Sequence, residues 1–183
     1  MKMPSIGDFL IAEPFMQDPN FQRSVVLLCQ KQDDGYVGFT INRKIDYSVG
    51  DLVEELADCT MPLFDGGPVG KEQMFFLHSM PELISGGIMI QKDIFWGGDF
   101  EQVKHMVQSN TIDPNRIKFI VGYSGWESGQ LEDEMKERSW HIAPATSFLV
   151  LQEQPEAIWK NAIKLLGEEF KPLINYPKDP SFN

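Results

Sequence analysis

No stretch of this sequence reaches about 18 consecutive apolar residues, the length a helix needs to cross a bilayer, so a membrane-spanning helix is not expected. The first apolar run, Phe9-Leu10-Ile11-Ala12, is short and bounded by Asp8 and Glu13, which fits no secretory signal. Cysteine is scarce. Cys29 and Cys59 are too few for a disulfide framework, and buried free thiols in a reducing compartment are the expectation. Cations are outnumbered as well: 16 Lys and Arg face 27 Asp and Glu, a formal net charge of -11. That field repels phosphate, and the longest basic run is the pair Arg43-Lys44, so direct nucleic-acid binding and docking on anionic membranes are disfavoured. The three histidines, His78, His105 and His141, are scattered, with no Cys or carboxylate at a spacing that presents two ligands on one face. A cytoplasmic protein without metal or cofactor is what these absences leave.

What is present is an ordinary globular composition, with 42% apolar residues in a chain of 183, enough for one core and one domain over 1–183. Gly7 to Ala12, Ser24 to Gln30 and Tyr36 to Asn42 read as strands, the last two forming a hairpin across the turn signal Asp33-Asp34-Gly35. In the third strand Val37, Phe39 and Ile41 fall on one face and Tyr36, Gly38 and Thr40 on the other, the period of a half-buried strand. Ser48 with Asp51 predicts a capped helix whose stripe is Val49, Leu52, Val53 and Leu56. Further strands are expected at Met74 to His78, Ile88 to Ile90, Ile117 to Tyr123 and Ser147 to Leu151. Helices are expected from Asp99, from Gln130 to Arg138, and from Pro155 to a stop at Gly167. Strands gather early and helices intervene without strict alternation. This predicts an α+β fold with a mixed, barrel-like sheet flanked by helices.

The sharpest chemical lead is Gly122-Tyr123-Ser124-Gly125-Trp126, a serine placed between a strong strand and a helix. A nucleophile elbow needs glycine two residues after the serine to make its tight turn, and Trp126 stands there, so a structural turn is the better reading. His141 and Glu132 lie downstream, but nothing in the sequence fixes their geometry relative to Ser124. Gly66-Gly67-Pro68-Val69-Gly70-Lys71 has glycines and a lysine but not the spacing of a phosphate loop, and Pro68 lacks a backbone donor. Asn42-Arg43 and Trp126 with Gln130 are polar or amphipathic residues at an expected strand end and loop, where packing is an equal account.

Taken together, Gly7-Asp8-Phe9-Leu10-Ile11-Ala12, Asp18-Pro19-Asn20-Phe21-Gln22-Arg23-Ser24-Val25, Gly38-Phe39-Thr40-Ile41-Asn42-Arg43, Gly66-Gly67-Pro68-Val69, Leu77-His78, Gly122 to Trp126, Gly129-Gln130-Leu131-Glu132, Trp140 and the closing Pro180-Ser181-Phe182-Asn183 resemble the AlgH-like (YqgE/AlgH) family along nearly the whole chain. The resemblance implies a compact α+β fold with a barrel-like sheet in bacterial cytosol, together with a transcriptional-regulator label that names no mechanism. It marks Asn42, Gly66, Gly67, Pro68, His78, Tyr123, Gly125, Trp126 and Gln130 as fixed points. Ser124 occupies a position that is often alanine in the family pattern. With these residues and Ser124 as candidate binding positions and no catalytic set, the leading expectation is a non-enzymatic regulatory or adaptor protein. Its partner would be a protein or a small molecule. A hydrolase using Ser124 is the alternative.

Overall fold

The apolar runs Phe9 to Ala12 and Val25 to Cys29 become adjacent strands that are buried on both faces, which is why neither alternates with polar residues. The computed structural model describes residues 3–32 and 35–177; Asp33 and Asp34 of the expected turn and the closing Pro180-Ser181-Phe182-Asn183 lie outside the described residues. In chain order the strands are β1 (Asp8–Ala12), β2 (Val25–Gln32), β3 (Gly35–Thr40), β4 (Lys44–Ser48), β5 (Pro62–Asp65), β6 (Val69–His78), β7 (Ile88–Gln91), β8 (Ile94–Trp96), β9 (Ile117–Trp126) and β10 (Trp140–Pro144). The helices are α1 (Val49–Leu52), α2 (Phe100–Gln108), α3 (Gln130–Lys136), α4 (Ser147–Leu151) and α5 (Pro155–Lys164), with 3-10 turns at Glu54–Leu56 and Glu168–Asn175. The strands follow the order β10-β1-β2-β3-β9-β6-β8-β7 in a curled, mostly antiparallel sheet, so the α+β expectation holds.

β9 is the hub of this sheet. One edge takes all of its pairing with β6, while the other is shared, β5 running parallel beside Phe119 to Val121 and β3 antiparallel beside Ser124 to Trp126. Three apolar clusters cover the sheet. Alternate residues of β1 and β2 point to two of them: Phe9, Ile11, Val25 and Leu27 pack with α4 and α5, whereas Leu10, Ala12, Val26 and Leu28 pack with α3 and Trp140. The third lies between α1, α2 and the β5–β9–β6 segment, built on Leu63, Phe76, Val103 and Phe119.

Several expected elements differ, each for a local reason. β3 is buried on both faces rather than one, because α3 covers Tyr36 while Phe39 and Ile41 enter the core opposite. The capping box at Ser48 forms, with Ser48 N donating to Asp51 Oδ2 at 2.7 Å, yet α1 ends after one turn. The chain turns back on Gly50, where a Cβ would meet Ala57 O at 2.6 Å, and Leu52 of the expected inward stripe is 52% exposed. Ser147 to Leu151 is α4 and not a strand: a five-residue apolar run does not distinguish the two, and the Thr146 side chain caps its first turn. β9 continues through Ser124, Gly125 and Trp126, so the expected loop shrinks to the residues just before α3. β4, β5, β8 and β10 were not legible as strands.

Candidate functional site

The candidate positions divide among three places, with His78 lying outside all of them. Gly66, Gly67, Tyr123, Ser124 and Gly125 meet where β5 leaves β9 and β3 takes over its edge. Gly66 N donates to Val121 O at 2.9 Å and its carbonyl accepts from Thr40 N at 2.8 Å and from Ser124 Oγ at 3.0 Å. A Cβ on Gly66 would lie 2.3 Å from Gly122 O and one on Gly67 2.3 Å from the Tyr123 carbonyl, so both glycines are required by close backbone approach. Ser124 is therefore neither exposed nor at a strand-to-helix turn. It is 0% exposed, its hydroxyl is committed to Gly66 O, and neither His141 nor Glu132 bonds to it. His141 faces Glu13 at 3.6 Å instead. This geometry removes the nucleophile reading. The Gly66–Lys71 turn is equally closed to phosphate, since Gly67 N donates to Asp65 Oδ1 at 3.0 Å and Lys71 is ion-paired to the same carboxylate. Pro68 is exposed beside it.

Trp126 and Gln130 belong to a second place, around Glu134 of α3. Trp126 Nε1 and Trp140 Nε1 both donate to Glu134 Oε2, at 2.9 and 2.7 Å, and Gln130 Nε2 donates to Oε1 at 2.9 Å. Phe21 stacks on Trp126 and meets Trp140 edge-on. Each polar group in this cluster has its partner, which is the arrangement of a structural network. His78 stands apart from both. It is 0% exposed between Phe76 and Phe95, accepts from Met80 N at Nδ1 (3.0 Å) and reaches Gly97 O from Nε2 (3.0 Å). Those partners fix the neutral tautomer with the proton on Nε2, and burial lowers its pKa.

Asn42 leads to the third place, a cleft of about 590 Å³ between the β3–β4 connection and α5, lined by Arg23, Arg43, Lys44, Asp65, Trp159 and Lys160 among others. The Asn42 side chain bridges to the neighbouring backbone, accepting from Val25 N and donating to Arg23 O, both at 2.9 Å. This clasp holds Arg23 in the left-handed region, φ 53°, a conformation that costs a non-glycine residue on the order of 1 kcal/mol and persists only where neighbours enforce it. The Arg23 guanidinium lies 4.7 Å over the Trp159 ring, and its Nε is buried without a hydrogen-bond partner among the described residues. Arg43 donates to Pro19 O at 3.0 Å and its pKa is lowered by burial, a shift that Asp65 and Asp18 oppose. Lys44 and Lys160 are exposed and form no ion pair among the described residues. Four cations thus face two carboxylates, Asp65 and Glu156, in a protein of net charge -11. The sequence reading reached Asn42 and Arg43 here but missed Arg23, Trp159 and Lys160, whose approach depends on α5 folding back over β1 and β2.

Among the described residues, no group of three or more His, Cys, Asp or Glu is placed to hold a metal ion, and no helix is long and apolar enough to cross a membrane. Residues 9–171 match the AlgH-like family model. A UPF0301 protein of Cytophaga hutchinsonii is 39% identical over 97% of this chain and 98% of its own, and one of Parabacteroides distasonis is 39% identical over 99% and 92%. Among solved structures, the solution structure of the AlgH protein from Pseudomonas aeruginosa superposes with a TM-score of 0.74 at 28% identity, covering 97% of this chain and 98% of that one. A crystal structure of a Corynebacterium diphtheriae protein gives 0.79 at 19% identity, over 96% and 94%, a likeness of fold alone.

Proposed function

The chain belongs to the AlgH-like family, and from that membership and the chemistry of its cleft we propose that it is a non-enzymatic regulatory binding protein, working as one module, whose ligand is a small anion. The observation that carries the reading is the convergence of Arg23, Arg43, Lys44 and Lys160 on one concavity of an otherwise acidic protein. A cleft of about 590 Å³ is of the size that small-molecule sites occupy. Buried N–H groups without partners cost roughly 1–3 kcal/mol, and an oxyanion of the ligand supplies the acceptor that Arg23 Nε lacks. Arg43 and Arg23 are braced by carbonyls and a ring, so they are pre-organised as forked donors. Lys44 and Lys160 at the rim add charge. Asp65 and Glu156 disfavour an extended polyanion, which keeps the reading to phosphate- or carboxylate-bearing small molecules and against direct contact with nucleic acid. A regulatory role then acts through a protein partner that reads ligand occupancy, in the cytoplasm.

Thermal unfolding in low salt with inorganic phosphate, pyrophosphate or citrate tests the site. At least one of these anions is expected to raise the melting temperature in a concentration-dependent way. The rise is expected to shrink in the Lys44→Gln, Lys160→Gln double variant, whose substitutions touch only exposed side chains that form no ion pair among the described residues. No rise with any of the three, or an equal rise in the double variant, refutes the cleft as an anion site.

A further inference from the structure

Outside the cleft, one cation is buried with little to stabilise its charge. Lys118 interrupts the apolar run Ile117-Lys118-Phe119-Ile120 of β9 and is 5% exposed. Phe64 of β5 stands opposite Ile120 in parallel register, so Lys118 projects to the same face of the sheet as Phe64 and Pro62. A pocket of about 90 Å³ lies on that face, lined by Pro62, Phe64, Lys118, Leu151 and Glu153 among others. Lys118 Nζ donates to Ile41 O at 2.8 Å and sits 4.1 Å from the Phe64 ring centroid, and no carboxylate pairs with it among the described residues. The two Glu153 oxygens are engaged elsewhere, Oε1 by Gln154 N at 2.8 Å and Oε2 by Asn161 Nδ2 at 2.6 Å.

An ammonium carries three donors and loses most of its hydration here for one carbonyl and one ring face. A neutral amine fits better, because it keeps the bond to Ile41 O and presents a lone pair. Burial accordingly pushes the Lys118 pKa down to about 7. Desolvated lysines of this kind are the ones that attack carbonyl carbons.

We propose that Lys118 is a carbonyl-reactive amine and that the pocket beside it admits a small neutral aldehyde, which the amine captures reversibly as an imine. The volume, about that of three water molecules, limits the ligand to a few heavy atoms. The charge of Glu153 at the pocket wall excludes anionic oxo-acids. In the reaction the Nζ lone pair forms the N–C bond as the carbonyl π pair moves to oxygen, and a proton passes from nitrogen to that oxygen. The C–O bond then breaks, water leaves with the second amine proton, and the C=N bond remains, with no oxidant or reductant consumed. Water returning to the imine carbon restores both partners.

The test uses the full chain, acetaldehyde as probe and cyanoborohydride to reduce any imine to a stable secondary amine, with the modified lysines mapped by mass spectrometry. At pH 7 about half of Lys118 is neutral, against roughly one in a thousand or fewer of lysines with ordinary pKa values. Labelling of Lys118 is therefore expected to exceed that of exposed Lys44, Lys92 and Lys160 by about tenfold or more at pH 7. It is also expected to level off above neutrality. Lys118→Met should remove that one modification and leave the others. If Lys118 is labelled no faster than Lys92 at pH 7, or if its labelling keeps climbing steeply from pH 8 to pH 10, the proposal is wrong; both readings come from the unmutated protein.

Discussion

β9 carries a buried polar side chain toward each end, and the fold handles them in opposite ways. Toward its C-terminal end the Ser124 hydroxyl is sealed from water but bonded to Gly66 O. Toward its N-terminal end Lys118 is almost as deeply buried and has one carbonyl and one ring. A satisfied neutral group inside a protein is close to energetically neutral, whereas a cation with so few partners leaves a cost that depends on whether it holds its proton. The end of β9 that imitates a catalytic motif is thus scaffold. The end that reads as plain strand holds the group able to react.

The largest expected effect sharpens the scaffold side. Gly66→Ala would press a methyl group to within 2.3 Å of Gly122 O and 2.5 Å of the Ile120 side chain, at the crossing that positions β3, β5 and β9 together. Because the first contact is with backbone, no rotamer change relieves it. A loss of about 3 kcal/mol or more in urea unfolding, or failure to accumulate folded protein, is expected. A loss below about 1 kcal/mol would mean that the junction yields, and the contrast between a rigid end and a poised end of β9 would collapse.

The next effect belongs to Lys118. Its folded pKa, about 7, lies below the ordinary lysine value of about 10.4, so between those limits the unfolded chain binds more protons than the folded one. Stability from this group therefore rises as pH climbs from 7 to about 10, and below pH 7 its full penalty is present. Structural relaxation and water penetration reduce the penalty to on the order of 2–3 kcal/mol. Lys118→Met leaves Ile41 O without that donor at every pH but removes the charge penalty, so the stability difference between variant and parent is expected to move in the parent's favour as pH rises from 7 to about 10. Cys29, whose pKa burial raises, acts with the opposite sign at alkaline pH and cancels in the difference between variant and parent. Denaturant titrations of both proteins at three or four pH values decide the matter. A parallel pH dependence in the two would show that Lys118 keeps an ordinary pKa.

This contrast also explains which parts of the molecule were legible in the sequence. Elements with strong local signals were found: the hydrophobic runs of β1, β2 and β9, the Asp99 cap of α2 and Pro155 at the start of α5. Those that depend on neighbours were not. β4 is mostly exposed and exists by pairing with β5, and β8, three residues long, exists by pairing with β6 and β7. Motif reading singled out Gly66 and Gly67 in one segment and Ser124 in another, and their shared purpose, backbone crossing, appears only when β3 and β5 meet on β9. The cleft was half visible through Asn42 and Arg43, because Trp159 and Lys160 arrive from the far end of the chain. Lys118 did leave a trace, a lone cation inside an apolar run. Pattern reading assigns such a residue to an exposed strand face, and only the position of Leu151 and Glu153 shows that this face is covered.

The smallest effect separates scaffold from chemistry at Ser124 itself. In Ser124→Ala the lost hydroxyl bond ends at Gly66 O, which still accepts from Thr40 N at 2.8 Å, so the substitution leaves no buried carbonyl without a partner. Alanine also fits a strand position whose φ is unexceptional, since Ser124 is not among the residues of positive φ. A loss of about 1 kcal/mol or less is expected in urea unfolding. Any ester-hydrolysing activity found in the preparation should persist unchanged, because a hydroxyl bonded to a carbonyl, with no imidazole to accept its proton, is not an activated nucleophile. A stability loss several times larger, or an activity abolished by this one oxygen, would instead place chemistry at the end of β9 that the geometry assigns to support.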